Sequence, residues 1–307
     1  MGGGSLDSKT FRDYSTSYAG KKTEEVFTSR RLDNLLNPHG VKIRESRDST
    51  DNPESNAIIL ALDVTGSMGM IADNIAKQGL ATVCDEFLKR KPVPNPHFMF
   101  NAIGDVRYDG TPFQVSQFEA DDRMIQQLVK IYIEGGGGDN DSESYDLAWY
   151  FAGTHTSIDC WEKRKRKGYL FTIGDESTPH GLKREHIKKV LGEDIESDLT
   201  AQQCLALAEK MYHVYHVIIA EGHYPRRRGV DNVKAAWTQL MGQRAIVLSD
   251  YTKLAELVIS VIQMNEGEEK DAVVDSWDGS TALVIKDAVK DIVLESGAVS
   301  ESGVVTM

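Results

Sequence analysis

Short apolar runs alternate with longer amphipathic stretches along much of this sequence, and no other feature constrains the fold as strongly. Residues 57–62 read AIILAL, a continuous apolar run of strand length, and a stretch with helical spacing follows directly. Similar runs recur at residues 97–103, 169–173, 212–220 and 244–248. Buried strands that alternate with helices are typical of βαβ units around a parallel sheet. We therefore expect an α/β fold with a mainly parallel sheet.

The amphipathic stretches between these runs are expected to form the helices of the fold. They lie at residues 71–90, 121–133, 144–152, 183–191, 201–210, 230–240 and 254–264. The apolar positions of residues 113–118 predict an additional antiparallel strand at the edge of the sheet.

Composition changes at both ends of this pattern and predicts three segments. Residues 1–56 are polar, which indicates an extension that lies on the core or stays mobile. Residues 57–264 form the expected α/β domain. Residues 265–307 carry ten acidic and three basic residues, which predicts an acidic arm. Apolar positions three or four residues apart between 282 and 293 predict one amphipathic helix in that arm.

The whole-chain properties limit the possible partners. A net charge of −12 argues against nucleic-acid binding, which needs clustered basic side chains. The three cysteines lack C-x-x-C spacing, which fits a reducing compartment better than a disulfide framework. No apolar run approaches the ~20 residues of a membrane span, and the N-terminus lacks the apolar segment of a signal peptide. We expect a soluble cytoplasmic protein.

The loop after the first predicted strand is rich in side-chain oxygens. It contains Asp63, Thr65 and Ser67 at alternate positions, so an extended backbone places all three side chains on one side. One carboxylate with two hydroxyls suits Mg²⁺, which prefers oxygen ligands and keeps several waters. In the alternative interpretation, Thr65 or Ser67 only caps the following helix.

Two further loops are expected at the same edge. Four consecutive glycines precede the carboxylates of Asp139, Asp141 and Glu143, and Asp175 follows a later predicted strand. Loops at the carboxyl ends of parallel strands gather at one edge of a sheet. Three acidic loops at this edge therefore favour a shared metal site over three unrelated turns.

The motif D-x-T-G-S-M, the acidic glycine-rich loop and the later aspartate together resemble the von Willebrand factor A (vWA) family with its metal-ion-dependent adhesion site. The resemblance covers residues 57–264. It implies a three-layer, doubly wound, Rossmann-like fold and a bound Mg²⁺, or alternatively Mn²⁺ or Ca²⁺. It also implies that Asp63, Thr65, Ser67 and Asp175 coordinate the ion.

The middle loop departs from the common pattern of the family, in which a Thr follows the glycines. Here Gly138 and Asp139 occupy that place. The loop is more similar to those of integrin β subunits and some kinase-linked A domains, where a Glu replaces the Thr, which implies Glu143 as a metal ligand. Asp139 and Asp141 remain alternatives. Asp105, after the second long strand, is a candidate for a supporting or second metal ligand, or for a turn residue.

The resemblance also implies a function. A protein-binding module is expected, in which an acidic residue of another protein completes the metal coordination, and soluble relatives suggest an adaptor for an AAA+ ATPase. Arg226, Arg227 and Arg228 are predicted on the metal side of the sheet, where they could pair with acidic side chains of a partner. The alternative is that they are only a solvated charged loop.

Two enzymatic alternatives compete with this binding function. The T-G-S-M-G sequence at 65–69 approximates the nucleophile elbow of serine hydrolases, and Ser67, Asp175 and His213 or His223 follow the hydrolase order. However, a Thr replaces the first glycine of the elbow, and the aspartate before it would have no role. A metal-dependent phosphatase is a further alternative, but no placed general base is evident. The pattern favours a binding module over an enzyme.

Overall fold

The fold of this computed structural model, which describes residues 3–134 and 142–293, is built on a six-stranded sheet. The strands are β1 (Arg44–Ser46), β2 (Asn56–Asp63), β3 (Pro96–Ile103), β4 (Phe113–Val115), β5 (Thr156–Ile158), β6 (Gly168–Gly174), β7 (Tyr212–Ile219) and β8 (Ala245–Leu248). The sheet has the order β4-β3-β2-β6-β7-β8, and only the β3–β4 pairing is antiparallel. The expected α/β class and mainly parallel sheet are confirmed.

The register of the central strands brings their carboxyl ends to one level. Asp63 at the end of β2 pairs with Ile103 at the end of β3, and Leu62 pairs with Ile173 near the end of β6. Every residue of β2 is buried, which explains its continuous apolar sequence. The loops after these strands therefore start beside one another at a single edge, here called the carboxyl edge.

Helices flank the sheet. They are α1 (Ser8–Tyr18), α2 (Thr23–Val26), α3 (Gly69–Asn74), α4 (Leu80–Arg90), α5 (Arg123–Leu128), α6 (Tyr145–Thr154), α7 (Asp159–Glu162), α8 (Arg184–Leu191), α9 (Ala201–Glu209), α10 (His223–Arg228), α11 (Val230–Met241), α12 (Leu254–Asn265), α13 (Lys270–Asp275) and α14 (Gly279–Val289). None of the helices in the described ranges is long and apolar enough to cross a membrane.

Side chains on the two faces of the sheet belong to two separate cores, because successive residues of a strand point to opposite faces. Leu60 and Leu62 pack in a core with α3, α4 and α12. Ile59 and Ala61 pack in another core with α6, α9 and α11. These six helices thereby bury their apolar faces in the two cores on either side of the sheet.

Three local features differ from the sequence expectations. The long helix predicted at 71–90 is divided into α3, a π-helical turn (Ile75–Gly79) and α4. Helix α1 packs beside this turn, and the Ser15 hydroxyl donates to the Lys77 carbonyl. The helix predicted at 121–133 is shorter, since α5 ends at Leu128. The small parallel pair β1–β5 was not predicted, because three-residue strands leave no readable apolar run.

The segments that flank residues 57–264 both contribute to the core in the described ranges. Phe11 and Phe27 from the N-terminal segment are buried in the same core as α4. In the acidic arm, α13 and α14 pack on α12 through Val273 and Ile285. The sequence predicts one helix here and the structure has two, because the six residues of α13 are too few to show helical periodicity.

Trp277, between α13 and α14, joins this helical pair to the body. Its indole Nε1 donates to the Ser260 hydroxyl of α12 at 2.8 Å, and the Arg90 guanidinium lies 3.7 Å from the ring centroid. The side chain is buried. Apolar burial, a hydrogen bond and a cation–π contact therefore act on one residue.

We expect Trp277→Ala to lower the free energy of unfolding by about 3–5 kcal/mol, the usual cost of removing a buried aromatic side chain. Urea titration followed by circular dichroism measures the loss. Trp161→Ala is the matched control, because Trp161 is only partly buried at the margin of the other core and has the Lys165 ammonium over its ring at 5.5 Å. Equal losses in the two variants would contradict the docked arrangement of α13 and α14.

Candidate metal centre

The loop after β2 brings the Asp63 carboxylate and the Thr65 hydroxyl into contact. Gly66 adopts a φ of +43°, a left-handed conformation that favours glycine and lets the chain turn before α3. The Asp63 carboxylate is 0% exposed. Its Oδ1 accepts from the Thr65 backbone N–H at 2.9 Å and from the Thr65 hydroxyl at 2.7 Å. The Thr65 hydroxyl thus directs its hydrogen to Asp63 and keeps its lone pairs available.

Glu143 approaches the same hydroxyl from the loop before α6. The Ser144 backbone N–H donates to the Gly104 carbonyl at 3.2 Å, which ties this loop to the end of β3. Glu143 is 4% exposed, and its Oε1 lies 3.3 Å from the Thr65 Oγ1. Its Oε2 has no hydrogen-bond partner among the described residues. The Thr65 hydroxyl thus lies between two carboxylates but has only one hydrogen, which the shorter distance gives to Asp63. One buried oxygen of Glu143 is left without a donor among the described residues.

Asp175, on the loop after β6, lies near enough for its charge to act on Asp63. Its Oδ2 accepts from the Tyr224 backbone N–H at 3.1 Å, and the side chain is buried. Gly222, after β7, makes this approach possible, since a Cβ at that position would lie 2.2 Å from the Asp175 Cβ. The loops after β6 and β7 thereby meet at the carboxyl edge.

Burial raises the pKa of all three carboxyl groups by more than their hydrogen bonds lower it. Burial, and then the nearby Asp175 carboxylate, raises the pKa of Asp63 to about 7. Burial, and then the charge of Asp63, raises the pKa of Glu143 to about 10. Burial also raises the pKa of Asp175. Such a group of carboxylates disfavours its own ionised form, and a divalent cation would reverse that preference.

The donor set fits a hard cation that is held by hydroxyls as well as carboxylates. Within the described ranges, no three side chains of His, Cys, Asp or Glu gather as metal ligands. An all-carboxylate cage is therefore absent from that part of the chain. The oxygens of Asp63, Thr65 and Glu143 do lie together. The Glu143 Oε2, which accepts no hydrogen bond from the described residues, could bind a cation instead.

The remaining predicted ligands have different outcomes. Asp139, Asp141 and the side chain of Ser67 lie outside the described residues. Both oxygens of Asp105 accept from the Arg107 guanidinium at 2.7–3.1 Å, and Oδ1 also accepts from the Arg107 backbone N–H at 2.8 Å. This geometry favours the turn-residue interpretation of Asp105.

The three arginines lie on α10, which follows the loop that contacts Asp175. Arg226, Arg227 and Arg228 are exposed. The guanidinium carbons of Arg227 and Arg228 lie 5.6 and 5.8 Å from the centroid of the Tyr224 ring. Because the Tyr224 backbone also bonds to Asp175, the cluster adjoins the candidate metal centre.

The histidines considered for a hydrolase lie at opposite ends of β7. His213 is the second residue of that parallel strand, at the edge opposite the loop with Ser67. His223 begins α10 at the carboxyl edge and is exposed. Only His223 of these two is at the end of the sheet that the hydrolase alternative requires.

Sequence reasoning missed Tyr145, whose hydroxyl donates to Asp63 Oδ2 at 3.1 Å. Tyr145 is the first residue of α6 and is fully buried. Its position two residues after Glu143 was the available signal, but an aromatic at the start of a helix is more often only a core residue.

No protein-family model matches the chain, and no curated protein matches it. Among solved structures it is similar to the pilus adhesin SpaC from Lactobacillus rhamnosus GG in an open conformation, with a TM-score of 0.44 and 9% sequence identity over 74% of this chain and 31% of the adhesin. A second form of SpaC gives the same score and identity over 74% of this chain and 32% of the adhesin. The chain thus spans about a third of that protein, and the likeness is too distant to assign a family.

The raised pKa values predict how the metal-free protein responds to pH. Folded-state pKa values of about 7 for Asp63 and about 10 for Glu143 exceed the unfolded values of about 4. The folded state then binds more protons, so the stabilising contributions of both groups are fully present below about pH 4. The contribution of Asp63 is lost as the pH rises to about 7, and that of Glu143 is lost as the pH rises to about 10. Glu143→Gln removes the second contribution, and we expect its melting temperature to decline less between pH 5 and 9.

Thermal unfolding in chelating buffer across this pH range measures the effect. Glu185→Gln is the control, because Glu185 is exposed on α8 and should keep the wild-type profile. If Glu143→Gln declined as steeply as the control, Glu143 would not be buried as an uncompensated acid.

Proposed function

We propose that this chain is a divalent-metal-dependent protein-binding module of the vWA type, with a three-layer, doubly wound domain and a metal-ion-dependent adhesion site. The observation that carries this proposal is the contact of the Thr65 hydroxyl with two buried carboxylates, one of which has an oxygen without a donor among the described residues. Oxygens arranged in this way are poorly satisfied by protons alone and are well suited to Mg²⁺.

In this proposal Asp63, Thr65, Glu143 and Asp175 hold the ion, together with Ser67 from the same loop as Thr65. The bound ion offers exchangeable positions to a carboxylate of the partner. Burial of Asp63 and Glu143 keeps these ligands out of bulk water, where their attraction for a cation would be weaker. Backbone donors to Asp175 from the loop after β7 hold that carboxylate in place.

The partner in this proposal is a protein that presents an Asp or Glu to the carboxyl edge. The exposed arginines of α10 would attract such an acidic segment before contact. A role as a cytoplasmic adaptor of an AAA+ ATPase is one specific form of the proposal. The net charge of −12 disfavours a nucleic-acid partner.

The first expected outcome is that the wild-type chain binds one Mg²⁺ or Mn²⁺ in calorimetric titration and that Asp63→Ala lowers the affinity at least about tenfold. Asp194→Ala removes an exposed carboxylate on a loop after α8 and serves as the control. Circular dichroism checks that both variants fold. Equal Mg²⁺ affinity of Asp63→Ala and the wild type would overturn the metal site.

A capture experiment tests the binding function separately. Immobilised wild-type chain should retain a cellular protein in Mg²⁺ that chelator releases, and the Asp63→Ala bait should not retain it. Metal binding without any metal-dependent capture would leave a metal protein that is not a binding module.

The arginines provide a further expected outcome. Replacing Arg226, Arg227 and Arg228 by serine should slow association with the captured partner about tenfold or more at low salt and flatten its salt dependence, since steering is screened by ions. Mg²⁺ affinity should stay unchanged. The control replaces three lysines before β6, at the opposite edge of the sheet, by serine: Lys163, Lys165 and Lys167. If both triple variants associate at the wild-type rate, the arginines are only a solvated loop.

A further inference from the structure

Tyr145, the first residue of α6, contacts the Asp63 carboxylate of the candidate metal centre. The phenol hydroxyl donates to Asp63 Oδ2 at 3.1 Å, and the tyrosine is 0% exposed. Tyr145 is not one of the proposed metal ligands, so its buried hydroxyl has no role in the proposed function as stated above.

The hydrogen bonds of Asp63 leave it a defined way to contact a cation. A carboxylate has about four lone-pair positions. The Thr65 backbone N–H and hydroxyl take the two positions of Oδ1, and Tyr145 takes one of the two on Oδ2. Asp63 therefore has one lone pair left, on the oxygen that Tyr145 holds.

The surroundings of Tyr145 fix its hydroxyl in this position. Gly174, at the end of β6, makes room for it, since a Cβ there would lie 2.0 Å from the phenol oxygen. The Tyr145 ring packs edge-on against His216 and Trp237, with centroids 4.8 and 5.4 Å away. Those two rings stack on each other at 3.4 Å, and the Trp237 indole donates to the Glu176 carbonyl at 3.0 Å. The phenol therefore has little freedom to leave Asp63.

We propose that Tyr145 is a positioning residue that holds the Asp63 carboxylate for single-oxygen contact with a small octahedral cation and thereby favours Mg²⁺ over Ca²⁺. Mg²⁺ demands near-ideal geometry, whereas Ca²⁺ accepts flexible sites and carboxylates that bind through both oxygens. If the Asp63 carboxylate were free to rotate, the site would bind Mg²⁺ more weakly, whereas its affinity for Ca²⁺ would change less. This inference rests on the proposed metal site.

The test compares Tyr145→Phe with Tyr150→Phe in calorimetric titrations with MgCl₂ and with CaCl₂. Tyr150 is the matched control, because it lies on the same helix, is buried and donates its hydroxyl to the Glu193 carboxylate. Tyr145→Phe should lower Mg²⁺ affinity about 10- to 100-fold, the usual effect of removing a group that orients a metal ligand. Ca²⁺ affinity should fall less, so the Mg²⁺/Ca²⁺ affinity ratio decreases, while Tyr150→Phe keeps both affinities.

A second variant, Gly174→Ala, keeps the phenol hydroxyl but pushes it away from Asp63, and should change the ratio in the same direction. Thermal melting in chelator shows whether each variant folds. If the wild type binds neither ion, the proposed function itself fails. If the wild type binds Mg²⁺ and Asp63→Ala does not, but Tyr145→Phe has the wild-type ratio, the metal site stands and the role of Tyr145 is overturned. An equal loss for both ions also contradicts this role.

Discussion

The arrangement of the carboxyl edge depends on the burial of the Asp63 carboxylate at the end of the central strand. Removing a carboxylate from water is costly unless hydrogen bonds or an opposite charge replace the water. Thr65 and Tyr145 supply hydrogen bonds, but the nearby Asp175 carboxylate adds to the effect of burial and raises the pKa of Asp63, as Asp63 in turn does for Glu143. Neighbouring buried acids of this kind cost stability, and carboxyl groups with raised pKa values are typical of functional sites.

The fold was predictable because the sheet is buried on both faces. Each long parallel strand then needs a continuous apolar sequence, and each covering helix needs an apolar stripe, so both elements can be read from local patterns. The β1–β5 pair and the π-helical turn were not readable for the opposite reason. Both depend on contacts between distant segments, such as the Ser15 hydroxyl with the Lys77 carbonyl, which leave no periodic signal.

The candidate site was predictable in part: residues placed by local spacing could be read from the sequence, whereas those placed by contacts between distant segments could not. Asp63 and Thr65 are two positions apart on one extended segment, so alternation alone puts their oxygens together. Glu143 came from a family resemblance, because the register of a glycine-rich loop cannot be read from spacing. Tyr145 was missed because its contact with Asp63 needs both the start of α6 and the space left by Gly174, which only the assembled sheet edge provides.

A carboxylate in the middle loop changes how the proposed site would attract a partner. A divalent cation beside Asp63, Glu143 and Asp175 would not neutralise three ionised carboxylates, so the ligand shell would carry no excess positive charge toward an acidic segment. A coordinate bond acts only at contact, whereas exposed charges act over about a Debye length of ~8 Å. In this arrangement long-range attraction falls to the exposed arginines of α10, and the metal supplies direction and short-range strength. Salt and chelator would then act on different steps of binding, the first on the rate of encounter and the second on the lifetime of the complex.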